Sequence, residues 1–211
     1  MSTLTLSTIR SLIRSEINEA TTTSLTDAEL NSIANDAYKD VSVKGLCYES
    51  KIVKSNITSK FISLASDNIV KINYVEYDLG TGCLGMIQAN APTIGHTPID
   101  GSSPQYWFKW GDYLIVEPIP DVSTYDLNLY ASCYPSAVLS GDNDLPSSLP
   151  IEFHECVFLY SVAFSCLKLK RWGDFGGFYN RYIESVQVKK AEYVSKFPEV
   201  RQQQDIPRRV K

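Results

Sequence analysis

The spacing of apolar residues changes twice along this chain, and those two changes constrain its fold more than any other feature. From residue 6 to about 46 the spacing is helical, from about 48 it breaks into short β-branched and aromatic runs, and after Pro150 it is helical again. Each helical stripe must bury its apolar face against a neighbour. The expected fold class is therefore α+β: an N-terminal helix pair and a C-terminal helix pair forming one helical bundle (1–46 and 150–197), an inserted antiparallel β domain (47–149) and an extended C-terminal tail (198–211).

Leu6, Ile9, Ile13 and Ile17 recur at helical spacing beside Arg10, Arg14 and Glu16, which predicts an amphipathic helix over 6–19. Thr26 followed by Glu29 has the form of a capping box, with Leu25 and Leu30 placed for a hydrophobic staple. The stripe Leu30, Ile33, Ala34, Ala37, Tyr38, Val41 then predicts a helix over 27–44, with Gly45 as its candidate C-cap. In the last third, Pro150 is expected at the first position of a helix that ends near Trp172. Gly173 should break that helix, and Phe175 to Tyr193 mark another, closed by Pro198.

Between these blocks the expected strands are Lys51–Val53, Lys60–Leu64, Ile69–Tyr77, Tyr106–Trp110, Tyr113–Glu117 and Tyr125–Tyr134. Gly111 and Asp112 make a tight hairpin between two aromatic-rich strands. Residues 79–104, rich in Gly, Pro, Thr and Ser, are expected to be a long loop with one helical turn near Leu84 to Ala89, and such loops often contact partners.

Length and composition narrow the class further. With 211 residues, 44% of them apolar, the chain can bury a real core, so disorder is excluded as its dominant state. No stretch approaches the roughly 18 apolar residues that span a bilayer, and MSTLTLSTIRSLIRSE lacks the unbroken hydrophobic segment of a signal peptide. We expect a soluble protein kept in the cytosol until assembled, with no membrane partner. Its five cysteines (Cys47, Cys83, Cys133, Cys156, Cys166) are scattered and odd in number, so they should be reduced and mostly in the core. The net charge of -4 is unevenly placed: residues 72–154 hold one lysine against ten acids, giving -9 and leaving +5 elsewhere. A body of that polarity does not suit binding to a phosphate backbone.

Residue patterns that carry chemistry are absent or incomplete. His154-Glu155 begins like a zincin helix, but Phe158 stands where the second histidine ligand would be. Gly80, Gly82 and Gly85 lack the GK[ST] of a phosphate loop, and Gly173, Gly176 and Gly177 read as a helix junction. Asp142-Asn143-Asp144 lacks the later glycine and glutamate of a calcium loop, so a solvated turn is expected. The Asn56-Ile57-Thr58 sequon has no secretory signal to give it meaning. No catalytic residue, metal ligand or cofactor is assigned.

In that order, the elements resemble the head-to-tail adaptor (connector) proteins of tailed bacteriophages, short-tailed phages especially. The similar segments are SLTDAELNSIANDAYKDV, ISLASDNIVKINYVEYD, WFKWGDYLIVEPIPD and LPIEFHECVFLYSVAFSCLKLKRWGDFGGFYNRYIESV. The resemblance implies a structural virion protein assembled in the host cytoplasm: a dodecameric ring beneath the portal protein that extends the DNA channel and carries downstream tail or tail-ring proteins. Packaged DNA would pass through its lumen without sequence-specific binding. In such adaptors the C-terminal segment reaches into the portal, and that role is carried here onto Arg201, Gln202, Gln203, Gln204, Arg208, Arg209 and Lys211. Thirteen tyrosines supply amphipathic surface suited to ring contacts. Two other readings stand beside this one: a different virion ring such as a gatekeeper or tail terminator, and an enzyme with a site around His154, Glu155 and Cys156.

Overall fold

The computed structural model describes residues 4–19, 24–78, 80, 82–89, 104–119, 126–135, 138–144 and 149–196. These residues form a mixed α+β chain with four α-helices and two four-stranded sheets. It divides into two compact units, one made of the segments up to Tyr48 and from Tyr134 to Lys196, the other of Glu49–Cys133.

The helical unit contains α1 (Leu6–Glu16), α2 (Asp27–Gly45), α3 (His154–Lys168) and α4 (Trp172–Lys196). Leu6, Ile9 and Ile13 of α1, Leu30 to Val41 of α2, Phe153 to Cys166, and Tyr182 and Val186 of α4 join in one buried cluster. Thr5 caps α1, its hydroxyl accepting the Thr8 amide at 3.2 Å. The helix stops at Glu16, three residues earlier than its spacing predicts, because Asn18 turns to φ 56 and leaves the helical region. The capping box forms as expected: the Thr26 hydroxyl accepts the Glu29 amide and the Glu29 carboxylate accepts the Thr26 amide at 2.9 Å. Leu25 and Leu30 are both buried, as a staple requires.

Gly45 does not cap α2. It is the last helical residue, and Leu46 takes the left-handed conformation at φ 50. Close approach explains the glycine instead: a Cβ there would stand 2.8 Å from Phe153 Cε1 and 2.9 Å from Cys47 Sγ. Pro150 likewise sits one step earlier than expected, ahead of a 3-10 turn (Ile151–Phe153) that leads into α3. The buried faces of α2 and α3 carry Ser42, Ser161 and Ser165, each donating to the carbonyl four residues back at 2.7–2.8 Å. Their hydroxyls are thus satisfied inside the helix, and their small size leaves room for close packing.

Gly173 is not the break between α3 and α4. The chain turns at Lys170 (φ 59), where Lys170 N donates to Leu167 O and Arg171 N to Cys166 O. This is a Schellman termination with lysine in the position glycine usually takes. All three glycines, Gly173, Gly176 and Gly177, lie inside the first turns of α4 rather than at a junction.

In the β unit, sheet one has the order β1-β8-β3-β4 and sheet two β2-β7-β6-β5. The strands are β1 (Glu49–Lys54), β2 (Phe61–Ser63), β3 (Ile69–Asp78), β4 (Cys83–Gly85), β5 (Ile87–Gln88), β6 (Tyr106–Trp110), β7 (Tyr113–Glu117) and β8 (Asp126–Cys133). Where a helical turn is expected over Leu84 to Ala89, the chain instead forms β4 and β5, crossing between sheets at the buried Met86. Strand β5 pairs with β6 in parallel, so the unit departs from a purely antiparallel plan at that edge. The Trp110-Gly111-Asp112-Tyr113 hairpin forms, with Gly111 at φ 55. A bulge shifts the β3 register between Ile72 and Tyr74, which lets Ile72 and Val75 both point inward although two residues, an even number, lie between them. Leu127, Leu129 and Ala131 of sheet one and Ile62, Trp107, Leu114 and Val116 of sheet two are buried and form the interior.

Candidate docking surfaces

Residues expected to carry function fall into three groups. Arg201, Gln202, Gln203, Gln204, Arg208, Arg209 and Lys211 lie outside the described residues. His154, Glu155 and Cys156 are not brought together as a site. His154 is buried with Nε2 3.3 Å from the Leu149 carbonyl, Glu155 is exposed, and Cys156 is buried with its sulfur 3.4 Å from Ser185 Oγ. Burial pushes the Cys156 thiol up, and the Ser185 hydroxyl offsets this only in part, so the sulfur stays a thiol rather than a nucleophilic thiolate. Among the described residues no three His, Cys, Asp or Glu side chains come together as a metal site.

Asp142-Asn143-Asp144 does form a turn, but one that serves α1. The Asp144 carboxylate accepts the Ser140 and Gly141 amides at 2.7 Å, which holds it below the usual carboxylate range. The Asp144 and Asp142 carbonyls accept the free amides of Leu6 and Ser7, and Arg10 pairs with the Asp142 carboxylate. At the other end of α1, Arg171 donates to the Ile17 carbonyl at 2.8 Å. Both ends of the helix are thus satisfied by groups far away in sequence.

The two outer faces of the β unit differ in character. On sheet one, Lys51, Tyr74, Glu76 and Tyr130 share the outward side. The Tyr130 hydroxyl donates to Glu76 at 3.0 Å, Lys51 lies over the Tyr130 ring, and burial followed by the Glu76 charge pushes both phenols up. Tyr74 reaches over Gly85, where a Cβ would meet its hydroxyl at 2.0 Å, so this glycine is needed for close approach.

On sheet two, the register places Phe61, Ile115 and Phe108 in one row and Tyr113 and Trp110 in the next, on the side opposite Trp107 and Leu114; of these Ile115 and Phe108 are buried and the other three are exposed. Phe61 is 56% exposed, Trp110 65%, Tyr113 49% and, on the edge strand, Ile87 53%. Phe61 meets Tyr113 edge-on at 6.4 Å, and Phe108 meets Trp110 in the same way. A sheet with one buried face normally turns polar residues outward. This face is apolar across four strands. Lys60 pairs with Glu117 at 2.9 Å at its margin. The signal for it was present in YWFKW and YLIVE, which are apolar at consecutive positions where a half-exposed strand should alternate.

The helical unit has an exposed region of the opposite kind. On α4, Trp172 is 67% exposed, and Gly173, Gly176 and Gly177 follow at helical spacing. An added Cβ at any of the three would meet nothing within 4 Å. Each glycine inside a helix costs about 0.5–1 kcal/mol relative to alanine, and packing among the described residues gives no reason for them. The inward side of the same helix is aromatic: Phe175 stacks on Tyr179, Phe164 of α3 meets both, and Tyr160 of α3 stacks on Phe164 and meets Tyr182.

The family model described as SU10 adaptor protein covers residues 4–210. No curated protein matches the chain.

Proposed function

The chain belongs to the SU10 adaptor protein family, a family of phage head-to-tail adaptors of short-tailed type, and from that membership we propose that it forms a ring joining the portal vertex of the capsid to the tail and extending the DNA channel. The observation that carries this reading is the family match over nearly the whole chain. The ring is proposed to be dodecameric, assembled in the host cytoplasm, with the portal protein on one side and tail or tail-ring proteins on the other. No helix among the described residues is long and apolar enough to cross a membrane.

Charge supports the channel role. The excess of -9 over residues 72–154 would repel passing DNA and keep it from adhering. The last fourteen residues carry +2, and within them Arg201 to Gln204 and Arg208 to Lys211 are proposed to contact the portal. Reconstitution with isolated portal tests the reading. The full chain should bind as a ring, and a chain lacking 198–211 should keep its circular dichroism spectrum but lose portal binding. Rings that bind tail proteins and ignore the portal would instead mark a gatekeeper or terminator.

A further inference from the structure

We infer that the aromatic outer face of β2, β7 and β6 in one copy seats on the glycine face of α4 in a neighbouring copy, and that this is the contact which closes the ring. The inference rests on the ring reading given above and names the surfaces that reading leaves open. Among the described residues, both surfaces leave apolar area exposed. Phe61, Trp110 and Tyr113 stand half exposed or more on a face where polar residues belong. Gly173, Gly176 and Gly177 strip side chains from a helix face where a Cβ would meet nothing. Protruding aromatic side chains need a flat apolar seat, and a helix bare of side chains beside an exposed Trp172 provides one.

Charge points to the same occupant. Asp112 sits exposed at the hairpin tip between Trp110 and Tyr113, in a segment, 49–133, whose five lysines and nine acids sum to -4. Lys170 and Arg181 stand exposed beside the glycine face, while Lys168 pairs with Glu29 and Arg171 with Asp174, which leaves a local +2. Nucleic acid is a poorer occupant of the aromatic face. Lys60 there is paired with Glu117, and Lys109 points to the other side of the sheet, donating to the Ile69 carbonyl. Two different surfaces that complement each other on one chain make a heterologous contact, the kind that repeats by rotation until it closes.

The test uses the full chain with Cys83→Ser, so that no exposed native thiol remains among the described cysteines. Asp112→Cys and Gly177→Cys are made in separately tagged preparations, mixed, assembled alone and on isolated portal, and treated with a short bis-maleimide. The expected result is a crosslinked pair carrying both tags, at least ten times more abundant than in either preparation alone. Gly176→Leu should raise the melting temperature of the isolated chain, since leucine favours the helix and meets nothing there, yet abolish rings. Trp110→Ser should abolish rings with an unchanged circular dichroism spectrum. If both variants still form rings and no mixed crosslink appears, the contact lies elsewhere and the ring reading stands without this inference. Variants that form rings but lose only a tail protein would assign the aromatic face to that protein and overturn the inference. A wild-type chain that forms no ring, alone or on portal, removes the ring reading and the inference together.

Discussion

The Tyr182 hydroxyl of α4 donates a hydrogen bond to the Asp40 carboxylate of α2, 142 residues earlier in the chain. Lys44 pairs with the same carboxylate oxygen at 2.7 Å and lies over the Tyr182 ring, and Lys190 donates to the Lys44 carbonyl at 3.0 Å. This network joins the first and last parts of the helical unit across the whole β insertion. Tyr182→Phe leaves the ring packing in place and removes the charged hydrogen bond, so it should lower unfolding stability by about 2 kcal/mol, read by urea titration at pH 8.

The same region should set an alkaline limit. Burial, with the Asp40 charge adding to it, pushes Tyr160 up to about 12 and raises Tyr182 as well. An unfolded tyrosine titrates near pH 10. The stabilisation is therefore complete below about pH 10 and is lost as pH rises through the folded values. Urea midpoints should fall between about pH 10 and 12 in the wild type, and fall less in Tyr182→Phe; a flat profile in the wild type would contradict the burial assigned to these phenols.

At the acid end the sign reverses. The Thr26 amide and hydroxyl, then Lys168, hold Glu29 below its usual range, and Arg14 does the same for Asp27. Their contribution is present above the unfolded carboxylate value, roughly 4, and is lost as pH falls through the folded one. Thr26→Ala should cost about 1 kcal/mol at pH 7 and flatten the stability loss between roughly pH 5 and 3; thermal melts across that range provide the check.

Two glycines in helices should respond in opposite directions. Gly173→Ala on α4 meets nothing and should stabilise the isolated chain by about 0.5–1 kcal/mol. Gly45→Ala drives a Cβ against the buried Phe153 ring and should destabilise it by about 1–3 kcal/mol. Equal effects would mean that the close approach of α2 to Phe153 is not rigid.

Thiol labelling gives a further check. Cys83 is exposed, whereas Cys47, Cys133, Cys156 and Cys166 are buried. One thiol per native chain should react quickly. Local desolvation at the sheet edge and the nearby Asp78 and Glu76 charges raise the Cys83 thiol, so its rate should keep rising as pH increases beyond 8.5.

What the sequence made legible followed from local rules. The capping box at Thr26 and the hairpin at Gly111 are short-range devices, and both formed where their residues stand. Expectations failed where a distant group replaced the local signal. Lys170 ends α3 in a position where glycine would have marked the turn, and Gly45 is set by Phe153, more than a hundred residues away. Strands β4 and β5 are two or three residues long, too short to show a period, and exist because β3 and β6 offer them edges. The aromatic face of sheet two was written in YWFKW and YLIVE, yet only the register shows which of those residues point outward.

Electron cryo-microscopy of the assembled particle tests the proposed ring at the head-to-tail junction. The proposed assembly requires density for a closed ring of twelve copies immediately below the portal, lining the DNA channel, with residues 198–211 reaching into the portal. A particle in which this chain is absent from that junction, or occupies it without closing around the channel, would contradict it.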